Sequence, residues 1–599
     1  MNRQRSAAAR LLAMSVAFAS VASLSACGGG GGGGSPTPTP PLPPAPAPAP
    51  APAPTPPSPP PASPPPPAPP PPAPFTIQTT QPADAVGGVD RRTAVIAHLS
   101  AAAAAPTVTT STVALTGPLG NAIPASVAVS GDTITLTPAA ALPGDTTWTA
   151  TFASTITDTT GQALGGNRTV SFITNAQAWS DQATDVAETP DFNLVSQPAI
   201  AYDASGALLV AWRATVSSTD TLYAARRDLA TGAWSVPVVL QTLVNGSIDA
   251  LDMTCGAAGE CWLGWTQYLS GNFKEARVVR FAVAAAAWDA ALVPPFTSAV
   301  DSVESVHPVI DQHGDLQVLA TTSSQIMAAK RDASTQGWGA PNVYTLSTSS
   351  GETRAVMDPL GNISVLWKAV GSSTFEVHGV RYDTASGTWS AEQSLADQLN
   401  AALSGSIWIA LDGANAVTGV FSRGGFTSEV YAVRLDPKTG AWGGAVRLDN
   451  IDPNAEQATR PNVTGDATGQ VTAVWQQFSG LWSSRLAPGA GAWSTPIRVS
   501  QVYGVSASSG VFLVADIAGN VTASWSNDFG LAASRLPAAG DVWSAVADIS
   551  VPPTGTRIFS ARTLQTTCSA GGDVASAWVQ RNDAVGGVAH YELEVNTLH

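Results

Sequence analysis

Charge is scarce in this chain: only 12% of its 599 residues are Asp, Glu, Lys or Arg. Long charged amphipathic helices are therefore excluded as the dominant element, since each needs a sustained polar face. Basic residues are scarcer still. Lys and Arg total 28 against 43 Asp and Glu, a formal net charge of -15. That excludes a nucleic-acid footprint, and an anionic partner would need a local positive patch. Cysteine occurs four times and histidine six. No HExxH and no Cys/His cluster occurs, so the sequence assigns no metal and no cofactor. A GxSxG elbow, a Ser-His-Asp set and an evident carboxylate pair are also missing. No catalytic residue is assigned, and the chain is read as a non-enzyme. What dominates instead is Ala, Gly, Thr, Ser and Val, a composition of short strands and tight turns.

A hydrophobic run long enough to favour a membrane-spanning helix is absent near the start. Arg3, Arg5 and Arg10 precede an apolar stretch from Leu11 to Leu24. The stretch ends in Leu24-Ser25-Ala26-Cys27, which resembles the lipobox of bacterial lipoproteins. The resemblance implies a signal peptide over 1–26 and a diacylated Cys27 as the mature N-terminus. Gly28, where Asp would signal retention, implies the outer membrane, with the surface or periplasmic side left open. The alternative is an ordinary secretory signal.

Residues 27–74 then read as a tether. Gly28 to Gly34 gives flexibility, and the Pro/Ala-rich stretch after it favours extended polyproline II. At about 3.1 Å per residue, some forty residues reach on the order of 100 Å. Export into an oxidising compartment makes a Cys255–Cys261 disulfide an expectation, stapling a hairpin across Gly256 to Glu260. Cys568 is left as a buried small hydrophobe.

Residues 75–175 read as a small β-sandwich. Thr133-Ile134-Thr135-Leu136-Thr137 and Trp148-Thr149-Ala150-Thr151-Phe152 alternate with period two, and Pro143-Gly144-Asp145 and Asp158 to Gly161 mark turns. The order of Pro82, Leu136-Thr137-Pro138, Leu142-Pro143-Gly144, Trp148, Asp158, Gly161 and Phe172-Ile173-Thr174 resembles the bacterial Ig-like domains of S-layer and other surface proteins. Trp148 stands where that family usually has Tyr. The resemblance implies a spacer module.

From 176 to 599 the chain repeats at about fifty residues. One unit runs Pro198 to Trp212, then Leu222 to Asp228, then Ala233-Trp234-Ser235. A Gly-to-aromatic step of six recurs as Gly206/Trp212, Gly259/Trp265, Gly361/Trp367, Gly469/Trp475, Gly519/Trp525 and Gly572/Trp578. Such periods, with four short strands each, signal a β-propeller. The fold class is all-β: an Ig-like sandwich followed by a propeller, with eight blades preferred and seven as alternative. Trp179 sits in a fourth-strand signature without the first three strands, and the last unit stops after three. The two ends are therefore expected to share one blade. The Asp-x-x-Gly turns fit first hairpins, and arginines seven or eight residues before the outer Trp, such as Arg227, Arg331 and Arg381, are read as forming local ion pairs or stacking on Trp.

Function is expected on the face carrying the longer, variable loops. Those loops contribute Tyr268, Phe273, Lys274, Arg423, Phe426, Trp482, Phe529 and Arg581. A second set, His307, Arg354, Trp408 and Arg460, is expected to ring the channel mouth as a positive, aromatic patch. The leading reading is an anchored envelope binding or adhesion protein with a glycan or protein ligand. The alternatives are an envelope scaffold and a carbohydrate-active enzyme.

Overall fold

The computed structural model describes residues 73–599, apart from 182, 188–193, 196–197, 229–230, 257–258, 269–272, 297–301, 371–374, 396–405, 424–427, 450–456, 478–479, 501–509, 528–529, 551–561, 570 and 583–589. The expected signal peptide, Cys27 and the expected tether up to residue 72 lie outside the described residues. No helix among the described residues is long and apolar enough to cross a membrane.

The first domain is two packed four-stranded sheets. One runs in the order Ile77–Gln81, Val95–Leu99, Thr133–Pro138, Ala125–Ser130, the other Val86–Val89, Arg168–Thr174, Thr147–Phe152, Val113–Thr116. Alternation decides what faces inward. Ile134 and Leu136 are buried while Thr133 and Thr135 are not, and Trp148, Ala150 and Phe152 close the same core. Asp158 shapes its turn by accepting from the amides of Thr160 and Gln162.

The remaining described strands form eight sheets of four or five strands. Their innermost strands are Ala199–Tyr202, Ser247–Cys255, Ser305–Ile310, Ser350–Met357, Ile407–Leu411, Ala458–Gly465, Val511–Ala515 and Arg562–Cys568. Each packs against the next, and the eighth packs against the first, the arrangement of a propeller. The eighth sheet takes its outer strand from the start of the repeat. Thr184–Ala187 pairs antiparallel with His590–Leu598, and Trp179 bridges to Leu598. Both ends of the repeat therefore share one blade, as the repeat pattern implied.

Six second-strand tryptophans hold neighbouring blades together. Trp265, Trp367, Trp475, Trp525 and Trp578 each cluster with apolar residues of the preceding blade, and Trp212 clusters with Ala575, Ala577 and Val579 of the eighth. All six are fully buried. At about 25 cal/mol per Å² over 150–250 Å², each contributes up to about 4–6 kcal/mol.

The first-hairpin turns explain the recurring Asp. Oδ1 of Asp203, Asp311, Asp358, Asp412, Asp466 and Asp516 accepts from the backbone amides two and four residues on. Oδ2 reaches a third-strand cation in the pairs Asp203–Arg226, Asp311–Lys330, Asp358–Arg381, Asp412–Arg434 and Asp516–Arg535. The reading of the arginine series as ion-paired or stacked on Trp holds for Arg280, Arg331, Arg381, Arg434 and Arg535. It is corrected at Arg227 and Arg485: the turn Asp of the first blade meets Arg226 instead, and Arg485 donates to the carbonyls of Pro537, Ala538 and Gly540. Arg227 bonds Gly232 O and Thr597 Oγ1, while Arg331 stacks 5.4 Å over Trp262. The second blade has no turn Asp. There Cys255 and Cys261 are opposite each other across the hairpin and form the expected disulfide.

The Ig-like sandwich docks on the turns of the seventh and eighth blades. Arg91 donates to Asp573 at 2.8 Å, to Gly571 O at 2.6 Å and to Leu142 O at 2.6 Å. Asn121 donates to Ile517 O, and Asn520 to Thr146 Oγ1. Ala518, a propeller residue, is wholly buried in the sandwich core. The contact is tight at Gly572, where a Cβ would lie 2.8 Å from Pro143.

Candidate functional site

In an antiparallel blade the first-to-second and third-to-fourth connections share one face, and the other two share the opposite face. The turn face carries the Asp-anchored hairpins and the Ig-like sandwich. The loop face carries the remaining connections. Several of those connections fall outside the described residues, among them Phe426 and Phe529, as does the side chain of Arg581.

The channel-mouth set lies on innermost strands of four successive blades: His307, Arg354, Trp408 and Arg460 on the third to sixth. Arg354 places its guanidinium 4.8 Å over the Trp408 ring. Its charge is shared with Glu352, 2.7 Å away. The rings of Trp408 and of Phe512 in the seventh blade stand nearly perpendicular with centroids 5.7 Å apart, so the aromatic pair spans past the sixth blade. Below them Trp408, Ile409, Asn462, Phe512, Gln565 and Thr566 line a cavity of about 350 Å³. Phe512, Asn462, Gln565 and Thr566 carried no motif, and only the ring brings them beside Trp408.

His307 stands apart from that group. Its Nδ1 is 2.8 Å from Asp252 of the second blade, and its Nε2 is buried without a partner among the described residues. Asp252 was not singled out by sequence, since an Asp among many gives no local signal.

The innermost strands of the second, fourth, sixth and eighth blades each carry a bulge near their loop end, between Asp249 and Asp252, Ser350 and Thr353, Thr459 and Asn462, and Arg562 and Gln565. Ala250, Arg460 and Thr563 take positive φ in three of them. That conformation costs about 1–3 kcal/mol for a non-glycine residue. Arg460 donates to Gln476 Oε1 at 2.7 Å, and burial lowers its pKa.

The peripheral candidates do not join this group. Lys274 pairs with Asp249 at 2.9 Å beside Arg213. Phe273 is exposed, Arg423 lies 5.5 Å over Tyr431, and Trp482 receives Arg498 at 5.8 Å. Three carboxylates, Asp185, Glu592 and Glu594, bring their oxygens within 4.8 Å of one another in the eighth blade. Burial first, then the hydrogen bond and charge of Asp185, push Glu594 up to about 10. The trio therefore holds a proton at neutral pH.

Residues 71–174 match the family model of the bacterial Ig-like domain. No curated protein matches the chain. Among solved structures, the Dos1 propeller is similar over 70% of this chain and 93% of its own, at 9% identity and a TM-score of 0.39. The Aleuria aurantia lectin is similar over 61% and 99%, at 12% identity and a TM-score of 0.32. The polysaccharide lyase Uly1 is similar over 56% and 87%, at 10% identity and a TM-score of 0.36.

Proposed function

We propose that this protein is a lipid-anchored outer-membrane protein whose propeller binds glycan at the loop-face mouth of its channel. The observation that carries the reading is the Arg354–Trp408–Phe512 group over a cavity lined by Asn462, Gln565 and Thr566. An indole offers a flat apolar face to sugar C–H groups, and amides and hydroxyls both donate to and accept from sugar hydroxyls. Docking of the Ig-like sandwich on the turn face leaves the loop face as the one this reading uses. The tether supplies reach, and Cys27 supplies the anchor.

The test is binding of oligosaccharides to the full-length protein in detergent, followed by calorimetry. Wild type is expected to bind, and Trp408→Ala to lose at least tenfold in affinity at unchanged fold. Binding unaffected by Trp408→Ala overturns the placement. Membrane release of Cys27→Ser, seen by fractionation, checks the anchor. A second reading, a carbohydrate-active enzyme, is favoured by the Asp252–His307 pair, because a carboxylate on Nδ1 orients an imidazole for proton transfer at Nε2. Accumulating saccharide fragments, abolished by His307→Gln, would select it.

A further inference from the structure

Arg460 is the odd cation of the channel mouth. Arg354 is neutralised by Glu352, and His307 faces Asp252. Arg460 has no carboxylate partner among the described residues; its hydrogen bond there goes to the neutral Gln476. It is half-buried, in a chain of net charge -15 where a carboxylate partner would be easy to supply. A desolvated cation without a counter-ion is unfavourable, and an anionic ligand would relieve that cost.

Its backbone carries the same message. Arg460 has φ +53 and precedes Pro461, although a β-carbon disfavours that region. The equivalent bulge residues Ala250 and Thr563 show that the bulge itself needs no arginine. A guanidinium placed at such a cost on the strand beside Trp408 has a use other than folding.

We propose that Arg460 reads a negative charge on the bound glycan, so that the ligand is an acidic saccharide bearing a carboxylate or a sulfate. This rests on the glycan-binding reading above. The planar fork of Arg suits both groups, which share a face of acceptor oxygens. Trp408 takes the apolar face of the sugar, and the acidic substituent lies toward the sixth blade.

The test is calorimetric titration of the full-length protein in detergent with three probes: a galacturonic acid oligomer, a sulfated galactan oligomer and a neutral malto-oligomer. At least one acidic probe is expected to bind at least tenfold more tightly than the neutral one, and the tighter of the two identifies the group. Arg460→Gln is expected to remove that preference, bringing affinity for the acidic probe down to that for the neutral one. Arg460→Lys, which keeps the charge and loses the fork, is expected to restore part of it. Arg498→Gln, at the outer strand of the same blade, is expected to change nothing. Equal binding of acidic and neutral probes, or an Arg460→Gln variant that keeps the preference, overturns this inference and leaves glycan binding standing. Failure of all three probes on wild type overturns both.

Discussion

Glu594 holds a proton in the folded protein at neutral pH because its surroundings offer burial and acids instead of water and bases. It is 3% exposed, and Gln580 donates to it at 2.9 Å while Asp185 and Glu592 crowd it with charge. Its folded pKa of about 10 lies above the ordinary 4.5. Folding therefore binds a proton that the unfolded chain releases above about pH 4.5. The stabilising contribution is full below that pH and is lost as pH rises toward 10. Glu594→Gln mimics the protonated form at every pH. It is expected to raise the thermal midpoint at pH 8, through a gain in stability of more than the roughly 1.4 kcal/mol of one pKa unit, with the gain vanishing near pH 4.5. Equal midpoints for variant and wild type at pH 8 would sink the assignment of the proton. None of this was visible in the sequence. Glu592 and Glu594 read as ordinary strand carboxylates, and Asp185 lies some four hundred residues away until the ring joins the two ends.

Hairpins show why so much of the fold was legible. An Asp-x-x-Gly turn closes within five residues, so its chemistry is written locally: Asp358 bonds the amides of Leu360 and Asn362, and Gly361 takes φ +87. Period-two strands are local in the same sense. Which cation meets the turn Asp was less legible, because a one-residue shift at Arg226 or Lys330 moves the side chain to the other face of the strand. The channel mouth was half legible. His307, Arg354, Trp408 and Arg460 stood out, and Asp252 and Phe512 did not. The turn Asp also carries weight beyond its turn. Asp358→Ala would strand Arg381, which is 9% exposed, at a cost of about 3–5 kcal/mol, whereas a surface Asp would cost little. The second blade substitutes Cys255–Cys261 for that Asp. Replacing both cysteines by Ala should cost about 2 kcal/mol, the chain-entropy value for so short a loop. Calorimetric midpoints of the two variants rank the effects, and a cysteine variant worse than Asp358→Ala would reverse the argument.

At the scale of the whole molecule, the Ig-like sandwich is more than the spacer its family resemblance implied. It grips the seventh blade, where Ile517 and Ala518 complete its apolar core, and the eighth, where Arg91 holds Gly571 and Asp573. The eighth blade is also the one assembled from both ends of the repeat, so its outer seam joins segments with no local tie between them. A domain that pins the first hairpin of that blade adds restraint where ring closure most needs it. Arg91 is the test residue, since its side chain is 14% exposed and bonds three acceptors on both sides of the junction. Arg91→Ala is expected to cost about 2–4 kcal/mol. The loss should be regional: faster hydrogen exchange in Thr184–Ala187 and His590–Leu598, with the third to fifth blades unchanged. Uniform exchange across all blades would mean that the ring opens as one unit and that the sandwich merely rests on it. A regional loss would make the sandwich a latch. A propeller fragment cut away at Ala176 would then be a poor proxy for the binding head.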